Sequence, residues 1–326
     1  MRKILGATLS VGALMAAAVA AAPAATAAPP PPLPPGVSVL AGGFVNPAHL
    51  SFGPHGTLYV ADMGTGSVTR VKLRTGAQSV VASGLGLAAG VDVDSHGRVF
   101  ATSTLGDPEK EAAPARLVRI GHHGTVKVKA DLLAWELAHN PDGQSQATDS
   151  VSNPYGVLAL PHRVLVADAG ANDLIEVRAD GRVRTLTVFP SFTDGECATR
   201  PENTPGTFGC DAVPTDVEMG PDGYLYVSGL GAFAQGHIDK VNARTGAIVR
   251  TWGGLPPLTG IAVAKDGTIY AASFVSDTLL RIRGTDVDVA TVPAPTDVEL
   301  GHGMIVVASF AGAIFRVDGS AFHEPL

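Results

Sequence analysis

The side chains best placed for chemistry are His49, Asp216 and Asp297, which occupy the same place in three copies of a repeated stretch. In the three other copies that place is held by Gly90, Gly156 and Gly260. An imidazole and two carboxylates brought to one point form a polar funnel that can hold a cation, polarise a carbonyl oxygen and carry a proton. The plainer use of such aspartates is to accept hydrogen bonds from neighbouring backbone N–H groups. A loop histidine, likewise, is ordinarily just hydrogen-bonded. Further oxygen donors lie in the stretch 131–153, DLLAWELAHNPDGQSQATDSVSN, where Glu136, Asn140, Asp142, Asp149 and Asn153 are of the type a hard cation takes. They lack the regular spacing of a D-x-D-x-D-G calcium loop, so solvated loop polarity is the alternative. The metal candidates are therefore Asp216, Asp297 and Glu136, for Ca2+ or another divalent cation. His49, Glu136, Asp216 and Asp297 are the catalytic candidates.

Those residues are positioned by a six-fold repeat. The anchors His49, Gly90, Gly156, Asp216, Gly260 and Asp297 are each followed, 12 or 13 residues on, by the end of a second apolar run, at Asp62, Ser103, Asp168, Gly229, Ser273 and Ser309. Turn signals lie between the two runs, as in Pro221–Gly223 and Lys265–Gly267. Third runs follow in every copy (Val68–Val71 in the first, Ile314–Val317 in the last), and fourth runs after five of them. The sixth copy lacks its own fourth strand, and Val37–Leu40 supplies it. The reading is all-β: a six-bladed β-propeller of four-stranded blades, closed by pairing of the N-terminal strand with the last blade. Closure removes the exposed edges that an open array would leave.

The irregular segments Leu105–Ala115, Asp131–Ser152, Pro190–Ala212 and Leu230–Gly236 all enter a first strand or follow a second one. In a propeller both loop classes open on one face, which marks that face for binding. Within 131–152, Leu132, Leu133, Trp135 and Leu137 are helix-compatible and Asn140-Pro141-Asp142-Gly143 is a stop, so a short helix lying over the pore is expected. Asp62 and Asp168, each closing a V-A-D, are expected to be structural.

Three domains follow: a secretory signal peptide over 1–28, a Pro-rich linker over 29–36, and the propeller over 37–326. The first rests on Arg2 and Lys3, the apolar run Ile4–Ala22 and cleavage near Ala27. The mature chain is then secreted and has no transmembrane segment. Its formal charge moves from −7 to −9 when the two cations of 1–28 are removed, which excludes nucleic acid as partner. Cys197 and Cys210 read as a local disulfide in an exported chain. There is no G-x-S-x-G, no H-E-x-x-H, no phosphate loop and no cysteine placed as a nucleophile.

Motifs in and after the insertion carry a resemblance. They are Glu136 with Asn140-Pro141-Asp142-Gly143, Asp149, Asn153-Pro154-Tyr155-Gly156, Val166-Ala167-Asp168-Ala169-Gly170 with Asn172, and Val213-Pro214-Thr215-Asp216. This pattern resembles the ScyD/ScyE family, most specifically over 132–229. The resemblance implies a secreted or periplasmic six-bladed propeller of NHL-like repeats, and little about reaction. With Tyr155 of its N-P-Y-G motif, the ligand-binding candidates are Glu136, Asn140, Asp142, Asn153, Tyr155, Asp216 and Asp297. The first functional expectation is a monomeric extracellular or cell-surface binding protein that takes a small molecule or a cell-envelope component on its loop-rich face. The second is a metal-assisted enzyme of lactonase or lyase type with an axial cation. A third is a purely structural protein of the cell wall.

Overall fold

The computed structural model describes residues 32–106, 114–147 and 151–325. The expected signal peptide, the first three residues of the linker (29–31), Asp149 and most of Leu105–Ala115 lie outside the described residues. Blades 1 to 5 run Pro47–Ala82, Val91–Asp131, Pro154–Val188, Pro214–Leu255 and Gly260–Thr291, each a four-stranded antiparallel sheet paired in sequence order. Blade 6 takes three strands from Pro295–Val317 and its outermost from Val37–Gly42, which pairs antiparallel with Ala313–Val317. The sixth sheet therefore unites the two ends of the propeller, and the ring is closed as the sequence pattern predicts.

Alternation along the strands explains why the blades stack. In the second strand of blade 1, Leu58 and Val60 face blade 6 and pack with Leu50, Val71, Val306 and Ile314. Ala61 faces the other way, towards Val91, Val99 and Ala101 of blade 2. A period of two on a strand buried on both sides feeds two interfaces at once. Six apolar clusters result, one for each blade–blade contact. A side chain such as Leu225, fully buried between blades 3 and 4, contributes about 1.5–3 kcal/mol, and truncating it to Ala costs about 2–5 kcal/mol.

The V-A-D turns bind backbone. Asp62 accepts from the N–H groups of Val45, Asn46, Gly64 and Thr65, and Asp168 from those of Asn153, Gly170 and Ala171 and from the Ser152 hydroxyl. Leu132–His139 is helical: Asp131 caps its start by accepting from Ala134 N–H, and Asn140 ends it in the left-handed conformation. The helix does not lie over the pore. Leu132 and Trp135 pack between blades 2 and 3, and the Trp135 indole donates to Thr185 on the outermost strand of blade 3. Burying two large side chains in that cleft outweighs capping a polar channel. Cys197 and Cys210 form the expected disulfide, which closes the loop leading into blade 4.

Candidate active site

Four of the six inner strands begin at a proline: Pro47, Pro154, Pro214 and Pro295. Proline lacks a ladder donor and is tolerated at the first strand position. Directly after each the register slips by one residue, a bulge that re-aims the third residue: His49, Gly156, Asp216 and Asp297. The repeat thus turns the anchor positions to the axis through a local backbone device.

The axis holds a small polar cavity of about 70 Å3, lined by His49, Asp92, Asp216, Glu218, Asp297 and Glu299 among inner-strand backbone and apolar side chains. No Lys or Arg lines it. Three of its aspartates clasp neighbouring blades. Asp92 accepts from Ala159 N–H of blade 3 at 2.6 Å, Asp216 from Ile261 N–H of blade 5 at 2.9 Å, and Asp297 from Leu50 N–H of blade 1 at 2.7 Å. The structural use expected of these aspartates therefore coexists with their position on the channel. The glycine anchors do not widen the axis, as side-chain size alone suggests they should. A Cβ on Gly156 would stand 2.6 Å from Asp216 Cα, because the next inner strand has moved into the space.

His49, Asp216 and Asp297 converge. One ligand atom from each lies within 4.8 Å of the other two, the only such His, Cys, Asp and Glu group among the described residues. His49 Nδ1 is 3.7 Å from Asp216 Oδ1. Two further observations distinguish this cluster from ordinary buried acid. His49 Nε2 and the Tyr155 hydroxyl are both buried without a hydrogen-bond partner, and their rings meet edge-on at 5.2 Å. Such orphans are rare because each forfeits its hydration. Burial lowers the basicity of His49, against the pull of Asp216 and of the Thr259 backbone, so the imidazole is neutral near pH 7. Burial also raises all five channel carboxyls, with Glu218 pushed up to about 8 by burial, Asp92 and Asp216. Asp216 and Asp297 each place a carboxylate oxygen within 4.8 Å of the other, and as a buried pair of like charge they resist ionising together. Tyr155 is raised by burial and by both aspartates, so its hydroxyl keeps its proton.

The remaining candidates lie elsewhere. Glu136 is buried on the helix near Asp173, outside the axial group. Asn140 and Asp142 shape the insertion: Asn140 Nδ2 donates to the Gln144 carbonyl, and Asp142 accepts from Gln144 N–H and from Asn172 Nδ2. Asn172 in turn accepts from Val213 N–H, just before the inner strand of blade 4. Asn153 donates its backbone N–H to Asp168. These four buttress the rim around the channel. Asp92, Glu218 and Glu299 are the channel residues that sequence reasoning missed. Each lies two positions after an anchor, where a strand's period of two places it on the same face, and that spacing was the available signal.

No family model matches the chain, and no curated protein is similar to it. The ScyD/ScyE resemblance therefore rests on its motifs alone. Solved structures share the fold. Virginiamycin B lyase from Staphylococcus aureus aligns with a TM-score of 0.55 and 14% identity over 89% of this chain and 87% of that one. A gluconolactonase from Xanthomonas campestris gives 0.58 and 12%, over 89% of each chain. The PQQ-bound aldose sugar dehydrogenase from Streptomyces coelicolor gives 0.59 and 15%, over 87% of this chain and all of that one. At such identities the likeness establishes the β-propeller and nothing finer.

Proposed function

We propose that the protein is an exported ScyD/ScyE-like propeller enzyme of lactonase or lyase type, in which His49, Asp216 and Asp297 hold a divalent cation at the axis. The observation that carries this reading is their convergence within 4.8 Å beside the two orphaned polar atoms, His49 Nε2 and the Tyr155 hydroxyl. Five buried carboxyls without a Lys or Arg among them must either keep protons or meet a cation. The donors fit a cation that accepts both imidazole and carboxylate, as Zn2+ and Mn2+ do, more readily than the all-oxygen set Ca2+ prefers. When bound there, the cation supplies polarisation of a carbonyl oxygen and acidification of a water.

The chain's own groups have separable tasks. His49, neutral because it is buried, offers a ring nitrogen as ligand or proton acceptor. Asp216 and Asp297 are both held towards the protonated form by burial, and the protons the pair keeps must leave for both to act as ligands. The Tyr155 hydroxyl holds its proton and supplies a donor beside them. A space of about 70 Å3 takes an ion and a few waters, so a lactone or ester must present its carbonyl from the mouth.

The similar folds that act on substrates, named as a lyase and a gluconolactonase, favour this reading over a binding role. A panel of lactones and esters tests it. Turnover that is lost in Asp297→Asn and kept in Glu136→Gln supports it, and turnover indifferent to Asp297 refutes it. A binding role on the loop-rich face is the second reading. It is favoured by the bracing of the two rim insertions through Gln144 Nε2 to Asp211 at 2.5 Å and Ser145 N–H to Thr204 at 2.8 Å.

A further inference from the structure

Blades 4 and 5 present matching rows of side chains to the blade that follows, and one of the two receiving clefts is filled by the chain's own C-terminal segment. On blade 5, Tyr270, Arg281 and Asp288 stand in register across three strands. Phe322 returns over them with its ring 4.4 Å from the Arg281 guanidinium and edge-on to Tyr270 at 5.7 Å. It packs in the same apolar cluster as Ile305 and Val317 of blade 6. Beside it His323 exchanges backbone hydrogen bonds of 2.8 and 3.0 Å with Val289 on the outer edge of blade 5. An aromatic anchor and one rung of added strand thus hold the segment.

On blade 4, Tyr226, Lys240 and Arg250 occupy the corresponding register. Ile269 and Ile282 of blade 5 stand where blade 6 has Ile305 and Val317. No described segment crosses this second cleft. It encloses a cavity of about 190 Å3, bounded by the hairpin turns at Gly267 and Gly284, where a Cβ would meet nothing within 4 Å. That exceeds the roughly 150 Å3 of an apolar cavity that accepts benzene. The cleft opens at the end of the inner strands opposite the His49 cluster, so it is separate from the axial site.

The charge differs between the two clefts in one informative way. Blade 5 carries Asp288 on its outermost strand, bound to Arg281 at 2.7 Å, where blade 4 carries Arg250. Lys240 is paired with Asp222 at 2.6 Å, but Arg250 has no carboxylate partner among the described residues and lies flat on Trp252 at 4.0 Å. The outer side of Ile248–Leu255 is an unpaired edge.

We propose that the cleft between blades 4 and 5 docks an extended peptide carrying an aromatic side chain beside a carboxylate. The ring enters the cavity near Lys240, as Phe322 lies under Arg281. The carboxylate meets the guanidinium fork of Arg250. The backbone pairs with Thr251, the register counterpart of Val289, adding a rung to the blade edge.

The test uses the protein from residue 29 onwards and the acetylated, amidated peptide GSAFEEP, patterned on the C-terminal segment with Glu in place of His. Trp252 lies in the cleft and reports by fluorescence; a Trp135→Phe background removes the second of the two tryptophans. The expected result is saturable binding with a dissociation constant on the order of 100 μM. Replacing the peptide's Phe with Ala, or Arg250 with Glu, weakens it at least tenfold. A peptide with Lys in place of both Glu residues restores binding to the Arg250→Glu protein. Absence of saturation at millimolar peptide overturns the proposal, as does binding indifferent to Arg250. If 3-phenylpropanoate binds as tightly as the peptide, the cleft is a small aromatic-acid site and strand addition is wrong.

Discussion

Replacing Glu176 with Gln isolates one electrostatic contribution to holding blades 3 and 4 together. The carboxylate is almost fully buried and gathers three arginines: Arg163 Nη1 at 2.6 Å, Arg178 Nε at 2.8 Å and Arg184 Nη2 at 2.9 Å. Arg163 also donates to the Ala243 carbonyl at 2.7 Å, so Glu176 orients a tie between the two blades. These arginines hold the carboxyl down to about 2 from an ordinary 4.5, against the opposing effect of burial. A depression of that size contributes up to roughly 3 kcal/mol at neutral pH. Partial exposure of Arg178 and Arg184 screens some of it, leaving about 2–3 kcal/mol. Because the folded value lies below the unfolded one, the contribution is complete above pH 4.5 and fades as pH falls towards 2. Urea unfolding followed by circular dichroism should place Glu176→Gln below wild type by about 2–3 kcal/mol at pH 7 with an unchanged m-value. The gap should shrink by more than half at pH 2.5. Equal stability at pH 7, or a gap that does not move with pH, refutes the reasoning.

The axial carboxyls titrate in the opposite sense. Glu218 ionises near 4.5 in the unfolded chain but only at about 8 when folded, so the folded state holds the extra proton between those values. The melting temperature of chelator-treated protein should therefore fall from pH 5 to pH 8, and Glu218→Gln should flatten part of that fall; a flat wild-type profile contradicts it. Gly156→Ala forces a Cβ against Asp216 Cα and the Thr215 carbonyl, both backbone atoms that cannot swing away. Overpacking of this kind costs about 1–3 kcal/mol, read as a lower urea midpoint, while Ala at Gly253, an open position on the outermost strand of blade 4, should cost under 1 kcal/mol.

The propeller was legible because its signals are local and repeated. Anchor, turn and second strand recur at an offset of 12 or 13 residues in all six copies, and Val37–Leu40 reads as the missing strand of blade 6 because the sixth copy has no fourth run of its own. Half of the channel's ionisable residues were also legible. His49, Asp216 and Asp297 differ from the glycines that fill the other anchors, whereas Asp92, Glu218 and Glu299 read as ordinary strand polarity until their side of the strand is known. Tyr155 stands out in the sequence through its N-P-Y-G motif, but its partnerless hydroxyl beside the axial aspartates depends on packing between blades 1, 3, 4 and 6. Residue type alone groups Glu136 with the axial residues. The register of its helix, fixed by Leu132 and Trp135, turns it towards Asp173 instead. The cleft beside Arg250 is not legible in the sequence because it arises from what the C-terminal segment fills on blade 5 and leaves open on blade 4.

The central claim is that the axis holds a cation, and metal content decides it most directly. Wild type, Asp216→Asn and Glu136→Gln proteins, purified without chelator, are equilibrated with Zn2+, Mn2+ or Ca2+, desalted and measured by elemental mass spectrometry. The account predicts about one divalent cation per chain in wild type and in Glu136→Gln, and almost none in Asp216→Asn. A wild-type chain that retains no metal, or an Asp216→Asn chain that retains as much as wild type, contradicts it.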